Sequence, residues 1–290
     1  MADMKTFSLF LFVFLCKCSV AQDAESPFNK YGPLQAKTFS SFEEAMKSKD
    51  DVYKLQSENE DLSKDIQKIK RLPHLQIAVL RNNRLSTLPT EMGALSELVY
   101  LQIAQNPLQH FPTSMVNWQL LEVLLLQQSA LDSLPSEMAT LLNLQTLQIH
   151  SNSTDTFRVG AAISKIPKLR SITIYNSNLH GFPRSITKCL QLKEVTLVAC
   201  KIKKISTQIG NLQNLQTLIL EGNTIETIPT SLFDLVQMKS LSLKDNNIKI
   251  VPEEIALLKK LELLDLRGNP ISSTDIDLLR ALMPQCKIMF

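Results

Sequence analysis

LQTLILEGNTIETIP at residues 215–229 is followed, 23 residues on, by MKSLSLKDNNIKIVP at 238–252. Moving outward, LVYLQIAQNPLQHFP starts at Leu98 and LEVLLLQQSALDSLP at Leu121. All four share the frame L-x-x-L-x-L-x-x-N-x-L-x-x-L-P. Units in this frame begin at Val52, Leu75, Leu98, Leu121, Leu144, Leu169, Leu192, Leu215, Met238 and Leu261. Nine periods of 23, with two residues over, separate the first start from the last, and the surplus falls between Asn152 and Val159. Self-similarity at a fixed period of this size is the mark of a repeat architecture.

Each place in the frame has a physical reading. The first, fourth and sixth places alternate about a short strand and point inward, as Leu215, Leu218 and Leu220 do. The ninth place is Asn at 83, 106, 152, 223, 246 and 269. An inward amide there can satisfy main-chain groups that the turn would otherwise bury unpaired. Ser129, Ser177 and Cys200 stand at the same place, and a thiol is the weakest hydrogen bonder of these. Pro89, Pro112, Pro135, Pro183, Pro229 and Pro252 hold the fifteenth place and turn the chain out of the strand direction. Apolar residues three apart follow the fifteenth place, for example Ile209 and Leu212 or Ile255 and Leu258, and suit a helical turn.

One unit cannot stand alone. Roughly 1.5–3 kcal/mol per buried large side chain does not offset about 1–2 kcal/mol of backbone entropy per residue over its whole length. Stacked units cover one another, so the frame predicts a solenoid. This frame resembles the leucine-rich repeat family, in the form with L-P followed by I-x-x-L found in Ras-suppressor and Scribble-like repeats. The resemblance covers about residues 52–271. It implies an α/β fold, a right-handed horseshoe with a parallel sheet on the concave face and short helical segments on the convex face. The resemblance implies a binding scaffold and leaves the bound molecule open.

The domain plan follows: a single repeat domain over 39–290, with an N-terminal cap helix at 40–48, ten repeats from 52 and a C-terminal cap over 272–290. Ser41-Phe42-Glu43-Glu44 fits a capping box, with Phe39, Phe42 and Met46 on one helical face. The first unit is degenerate, with Ser57, Glu60 and Asp65 where later units carry Leu, Asn and Leu. Asp275 to Met283 reads as a helix stopped by Pro284, and KIMF at 287–290 as a last strand.

Before the domain, Lys5 and an apolar run from Phe7 to Cys16 lead to Ser19-Val20-Ala21, the plan of a secretory signal peptide over 1–21 cut after Ala21. Residues 22–38 are polar with two prolines and are expected to be a flexible lead-in. A secreted or cell-surface location follows, with a cytoplasmic one as the alternative. The absence of cysteine-paired caps resembles secreted bacterial members of the family. Cys189, Cys200 and Cys286 remain after cleavage, an odd and widely spaced set that argues for free buried thiols.

Composition narrows function. Leucine accounts for 48 of the 290 residues, as the repeat requires, while glycine numbers only seven, and no phosphate-binding glycine motif occurs. A net charge of +3 with both signs dispersed argues against a nucleic-acid partner. The four histidines fall at different places in the frame, so no metal site or cofactor is expected. After signal cleavage no stable membrane insertion is expected, and the protein reads as a monomer.

The third, fifth and seventh places of each strand face the hollow and should be polar. Units two to four instead offer Ile77, Val79, Tyr100, Val123 and Leu125. Neighbouring strands place these five together as one exposed patch, rimmed by Arg81, Gln102, Gln127 and His150, with Tyr175 next to His150. An apolar patch with a polar rim is a candidate surface for a protein partner. A glycan or matrix-binding structural role is the alternative, and Tyr100 and Tyr175 are its only aromatic platforms. His150 lacks a mature cysteine on its face, so catalysis is not expected. In the irregular fifth unit, Phe157 is expected to swing in where Thr154 replaces Leu. Asn152-Ser153-Thr154 matches a glycosylation sequon, but Asn152 is expected to be an inward, unmodified amide.

Overall fold

A computed structural model describes residues 26–33, 35–151 and 156–290. Twelve strands lie side by side in chain order in one open sheet. They are β1 (Thr38–Phe39), β2 (Lys54–Glu58), β3 (Ile77–Arg81), β4 (Tyr100–Ala104), β5 (Val123–Ser129) and β6 (Thr146–Ser151), then β7 (Ser171–Tyr175), β8 (Glu194–Val198), β9 (Thr217–Ile219), β10 (Ser240–Ser242), β11 (Leu263–Asp265) and β12 (Lys287–Met289). Each pairs in parallel with the next. The register joins equal places of adjacent units, so Ile77 stands beside Tyr100 and Tyr100 beside Val123.

Between strands the chain makes a short 3-10 turn. Pro89, Pro112, Pro135, Pro229 and Pro252 each stand in extended conformation directly before one, which is how proline ends the strand direction. Main-chain bonds of the i→i+3 kind then bring Ile209 and Leu212, or Ile255 and Leu258, inward to burial. The first, fourth and sixth places form the other wall of a continuous core, with Leu215, Leu218 and Leu220 fully buried.

The ninth-place amides stitch the units together. Asn106 Oδ1 accepts from the main-chain N–H groups of Asn83 (2.9 Å) and Leu85 (3.0 Å), while Nδ2 donates to the carbonyls of Leu80 (3.0 Å) and Ala104 (2.8 Å). Asn223 repeats the pattern with Cys200, Ile202, Leu197 and Leu220. Where the place is not Asn, the stitching thins. Cys200 Sγ makes long contacts to the carbonyls of Ile174 and Val198, Ser177 Oγ donates to the Tyr175 carbonyl, and Ser129 Oγ has no partner among the described residues.

One regularity of the turn has no sequence signature. The eighth place is left-handed in nine units, at Asn59, Asn82, Gln105, Gln128, Asn176, Ala199, Gly222, Asp245 and Gly268. Ser151 is the exception: it continues β6, and the register skips Gln128 so that Ser151 pairs with Ser129. Ser151 is buried and its hydroxyl donates to the Leu131 carbonyl at 3.0 Å. Asn152 and Thr154, and the sequon they belong to, lie outside the described residues. Phe157 is buried in the core, as its expected substitution for leucine requires.

The caps differ in detail from expectation. The N-terminal cap helix is shorter, Phe42–Lys47, with Ser41 Oγ accepting from the Glu44 N–H at 3.1 Å. Phe39 sits on strand β1, not on the helix, because the chain pairs with β2 before it turns. Glu60, the residue standing for Asn in the degenerate first unit, accepts from the Ser57 hydroxyl at 2.6 Å and from the Phe42 N–H at 3.0 Å, which ties the cap to the array. At the far end a helix, Ser273–Leu282, is capped by Ser272 and leads to β12.

Candidate functional site

The frame sets the sheet face as three rows. The third-place row runs Lys54, Ile77, Tyr100, Val123 and Thr146, and the fifth-place row runs Val79, Gln102, Leu125 and Gln148. The seventh-place row brings Gln127, His150 and Tyr175 side by side, with Arg81 two strands before Gln127. Adjacent strands are about 4.8 Å apart, so the five apolar residues do form one patch.

They form an apolar cluster of their own, separate from the main core: Ile77, Val79 and Tyr100, with Val123 and Leu125 packed against them. The patch is not open to solvent as expected. Ile77 is 0% exposed, Val79 7% and Tyr100 8%. The cover comes from the segment expected to be a flexible lead-in. Residues Pro27–Lys30 form one turn of helix, and Phe28 and Tyr31 pack onto the patch. The Tyr31 and Tyr100 rings lie 6.2 Å apart at 38°. Two aromatics in an otherwise polar stretch suffice, because they meet an apolar area on this face.

Lys54 completes the arrangement. It occupies the third place of the first unit, beside Ile77, and is 2% exposed. Burying an ammonium is costly unless it is hydrogen-bonded; its Nζ donates to the Phe28 carbonyl at 2.6 Å. Gly32 turns the chain away with φ +76°, and a Cβ there would stand 3.0 Å from Lys54 Cε.

The rim is polar and interconnected. Tyr100 Oη donates to Gln102 Oε1 at 3.1 Å, and Gln102 Nε2 to Gln127 Oε1 at 3.3 Å. Arg81 is exposed, and its Nε donates to Gln105 Oε1 at 2.9 Å. Burial, with the neighbouring Tyr31 phenol adding to it, pushes the Tyr100 phenol up to about 12, so it is a neutral donor at any physiological pH. His150 and Tyr175 meet edge-on with ring centroids 6.4 Å apart, and the Asn176 amide lies 3.2 Å from His150 Nε2. Burial lowers the His150 pKa, favouring the neutral ring.

Lys54, Phe28, Tyr31 and Gly32 are the residues that sequence reading left out. The available signal was an aromatic pair three residues apart after a proline, and a lysine within a row that is otherwise apolar in units two to four. Elsewhere the thiols are quiet: burial pushes Cys189 and Cys200 up to about 12 and Cys286 upward, and all three are free. Among the described residues no helix is long and apolar enough to cross a membrane, and no group of three or more His, Cys, Asp or Glu could hold a metal.

Comparison with known proteins gives one family. A model described as a leucine-rich repeat region matches residues 51–185, and a leucine-rich repeat model matches 190–248 and 213–271. No curated protein matches the chain. Among solved structures, an internalin of Listeria monocytogenes is similar with a TM-score of 0.70 and 21% identity, over 86% of this chain and 70% of that one. The functional domain of InlJ from Listeria monocytogenes, whose structure includes a cysteine ladder, gives 0.60 and 16%, over 76% of this chain and 44% of that one. The PEPR1-AtPEP1 crystal structure gives 0.52 and 24%, over 71% and 30%. At these identities the likeness is one of fold.

Proposed function

The chain belongs to the leucine-rich repeat family, and from that membership we propose that it is a non-catalytic scaffold holding a protein partner on the strand-lined face of units two to four. The observation that carries this reading is the second apolar cluster on the sheet face, where the frame itself calls for polar residues. Ile77, Val79, Tyr100, Val123 and Leu125 supply apolar contact there. Arg81, Gln102, Gln127, His150 and Tyr175 supply the polar rim. A rigid sheet presents these groups at fixed spacing, which lowers the ordering cost of association. The alternative, glycan or matrix adhesion, has less support, because four of the five patch residues are aliphatic and Tyr100 is the one aromatic among them. His150 has an amide and a phenol ring as its near neighbours, which favours binding over catalysis.

The sequence of residues 1–21 supports secretion with cleavage after Ala21, and mass spectrometry of the mature protein should then find Gln22 as its first residue. Light scattering should find a monomer. The face is tested with Tyr100→Asp and Leu125→Asp in purified protein of native circular dichroism. Both should lose partner capture; capture that survives both refutes the assignment of this face.

A further inference from the structure

The apolar patch already carries an occupant. Phe28 and Tyr31 lie three apart across a single helical turn and set their rings on Ile77, Val79 and Tyr100. The main chain of the same turn gives the Phe28 carbonyl to the buried Lys54 ammonium. The segment thus meets the face with two ring contacts and one charge-assisted hydrogen bond. It leaves the face at Gly32 and rejoins the array at β1, whose first residue is Thr38. Among the described residues Phe28 and Tyr31 pack against the second cluster and not the main core, and the N-terminal cap is closed by Phe39, Phe42 and Ala45 instead.

We propose that residues 26–32 are a tethered pseudo-ligand of this face. The protein partner presents a segment of the same chemistry: two aromatic side chains one helical turn apart, with a carbonyl or carboxylate oxygen placed for Lys54. It binds by displacing the resident segment. This rests on the reading of the sheet face as the partner site. A short tether gives an effective concentration on the order of millimolar, so the resident segment lowers the apparent affinity of any competitor by the fraction of time the face is free. The device sets a threshold for partner affinity. It also keeps an apolar surface covered while the partner is absent.

The probe is a fluorescent peptide of residues 26–33 (SPFNKYGP), titrated to about 1 mM into the full chain and into a Phe28→Ser/Tyr31→Ser variant of the full chain. The expected result is saturable binding to the variant, at least tenfold weaker binding to the parent, and none when Tyr100→Asp is added to the variant. A peptide that binds parent and variant equally, or fails to bind the variant, overturns the proposal. A second readout needs no peptide. Acylation of the Lys54 amine, followed by mass spectrometry, should be at least tenfold faster in the variant than in the parent; equal rates overturn the proposal. Two outcomes separate it from the reading it rests on. Peptide binding to the variant that Tyr100→Asp abolishes, together with partner capture that survives Tyr100→Asp, leaves the docked segment standing and removes the partner face. Partner capture that Tyr100→Asp abolishes, but that is equal in parent and variant, keeps the face and removes the pseudo-ligand.

Discussion

Asn106→Ala and Ser129→Ala remove polar side chains from the same place in consecutive units, and the structure gives them opposite consequences. Asn106 Oδ1 is the acceptor for two main-chain donors, Asn83 N–H and Leu85 N–H, at 2.9 and 3.0 Å. Alanine leaves both buried without an acceptor. On the donor side, Nδ2 serves the Leu80 and Ala104 carbonyls, and Ala104 keeps a bond from the Asn82 N–H at 2.9 Å. Two orphaned donors at about 1–3 kcal/mol each put the loss near 4 kcal/mol. Ser129 is different: its hydroxyl is buried with no partner among the described residues, so its removal relieves a desolvated group. That variant should be neutral or more stable by up to about 1 kcal/mol. The assay is guanidinium unfolding followed by far-ultraviolet circular dichroism and by fluorescence of Trp118. This tryptophan is fully buried in the unit of Asn106, with Nε1 donating to the Met92 carbonyl of the preceding unit at 2.9 Å. With a slope of about 4 kcal/mol per molar, Asn106→Ala moves the midpoint down by about 1 M. A loss below about 1 kcal/mol for Asn106→Ala, or an equal loss for Ser129→Ala, would refute the claim that the amide ladder works by satisfying turn donors.

Three further outcomes follow from the same structure. Leu147→Asp places an unpaired carboxylate at a fully buried fourth place, a cost beyond about 4–5 kcal/mol; circular dichroism should show an unfolded chain, and a native spectrum with an unchanged midpoint would contradict the core assignment. Gly222→Ala at φ +63° meets Ala199 in ordinary van der Waals contact, nearest atom 3.7 Å away, and should cost about 1 kcal/mol of left-handed strain, whereas Gly268→Ala at φ +71° sets its Cβ 2.2 Å from Asp245 Oδ1 and 3.2 Å from its Cα and should cost clearly more; equal melting temperatures would contradict this. His150 is held below its ordinary 6.5 by burial, so the unfolded chain takes up its proton first and the stability contributed by the neutral ring is lost as pH falls through and below 6.5. The drop in melting temperature between pH 7 and pH 5 should be smaller in His150→Gln than in the parent, and an unchanged drop would exclude this histidine as a source.

The repeat was legible because its signal is local and ten times restated. Leucine places, the asparagine ladder and the proline before five of the 3-10 turns all read directly from one frame. The eighth-place left-handed residue was not, since Asn, Gln, Ala, Asp and Gly all serve there and no side-chain type marks it. The patch residues were legible as a row, because equal places become neighbours under the parallel register. Their burial was not: it depends on a contact between residues 28 and 31 and a surface fifty to ninety residues further along the chain. Composition described the lead-in as too polar to fold, which holds for a core and fails for a segment needing only two rings and one carbonyl. The pairing of Ser151 with Ser129 escaped for a related reason, since counting placed the surplus residues in the loop after Asn152, while the strand absorbed the change one residue earlier.

The spacing of ladder side chains has a mechanical consequence. Amides lock the early units through Asn83 and Asn106 and the late units through Asn223, Asn246 and Asn269. Between them lie Ser129, whose hydroxyl has no partner among the described residues, the skipped turn at Ser151, the Ser177 hydroxyl on the Tyr175 carbonyl and the sulfur contacts of Cys200. A stack joined only through nearest neighbours bends where its joints are weakest. The strand pairing runs the other way: β5 and β6 are the longest strands, at seven and six residues, while β9, β10 and β11 have three each. The middle of the array is therefore held mainly by its sheet and the late units mainly by their amides, and the apolar cluster of units two to four sits where long strands and ladder amides coincide.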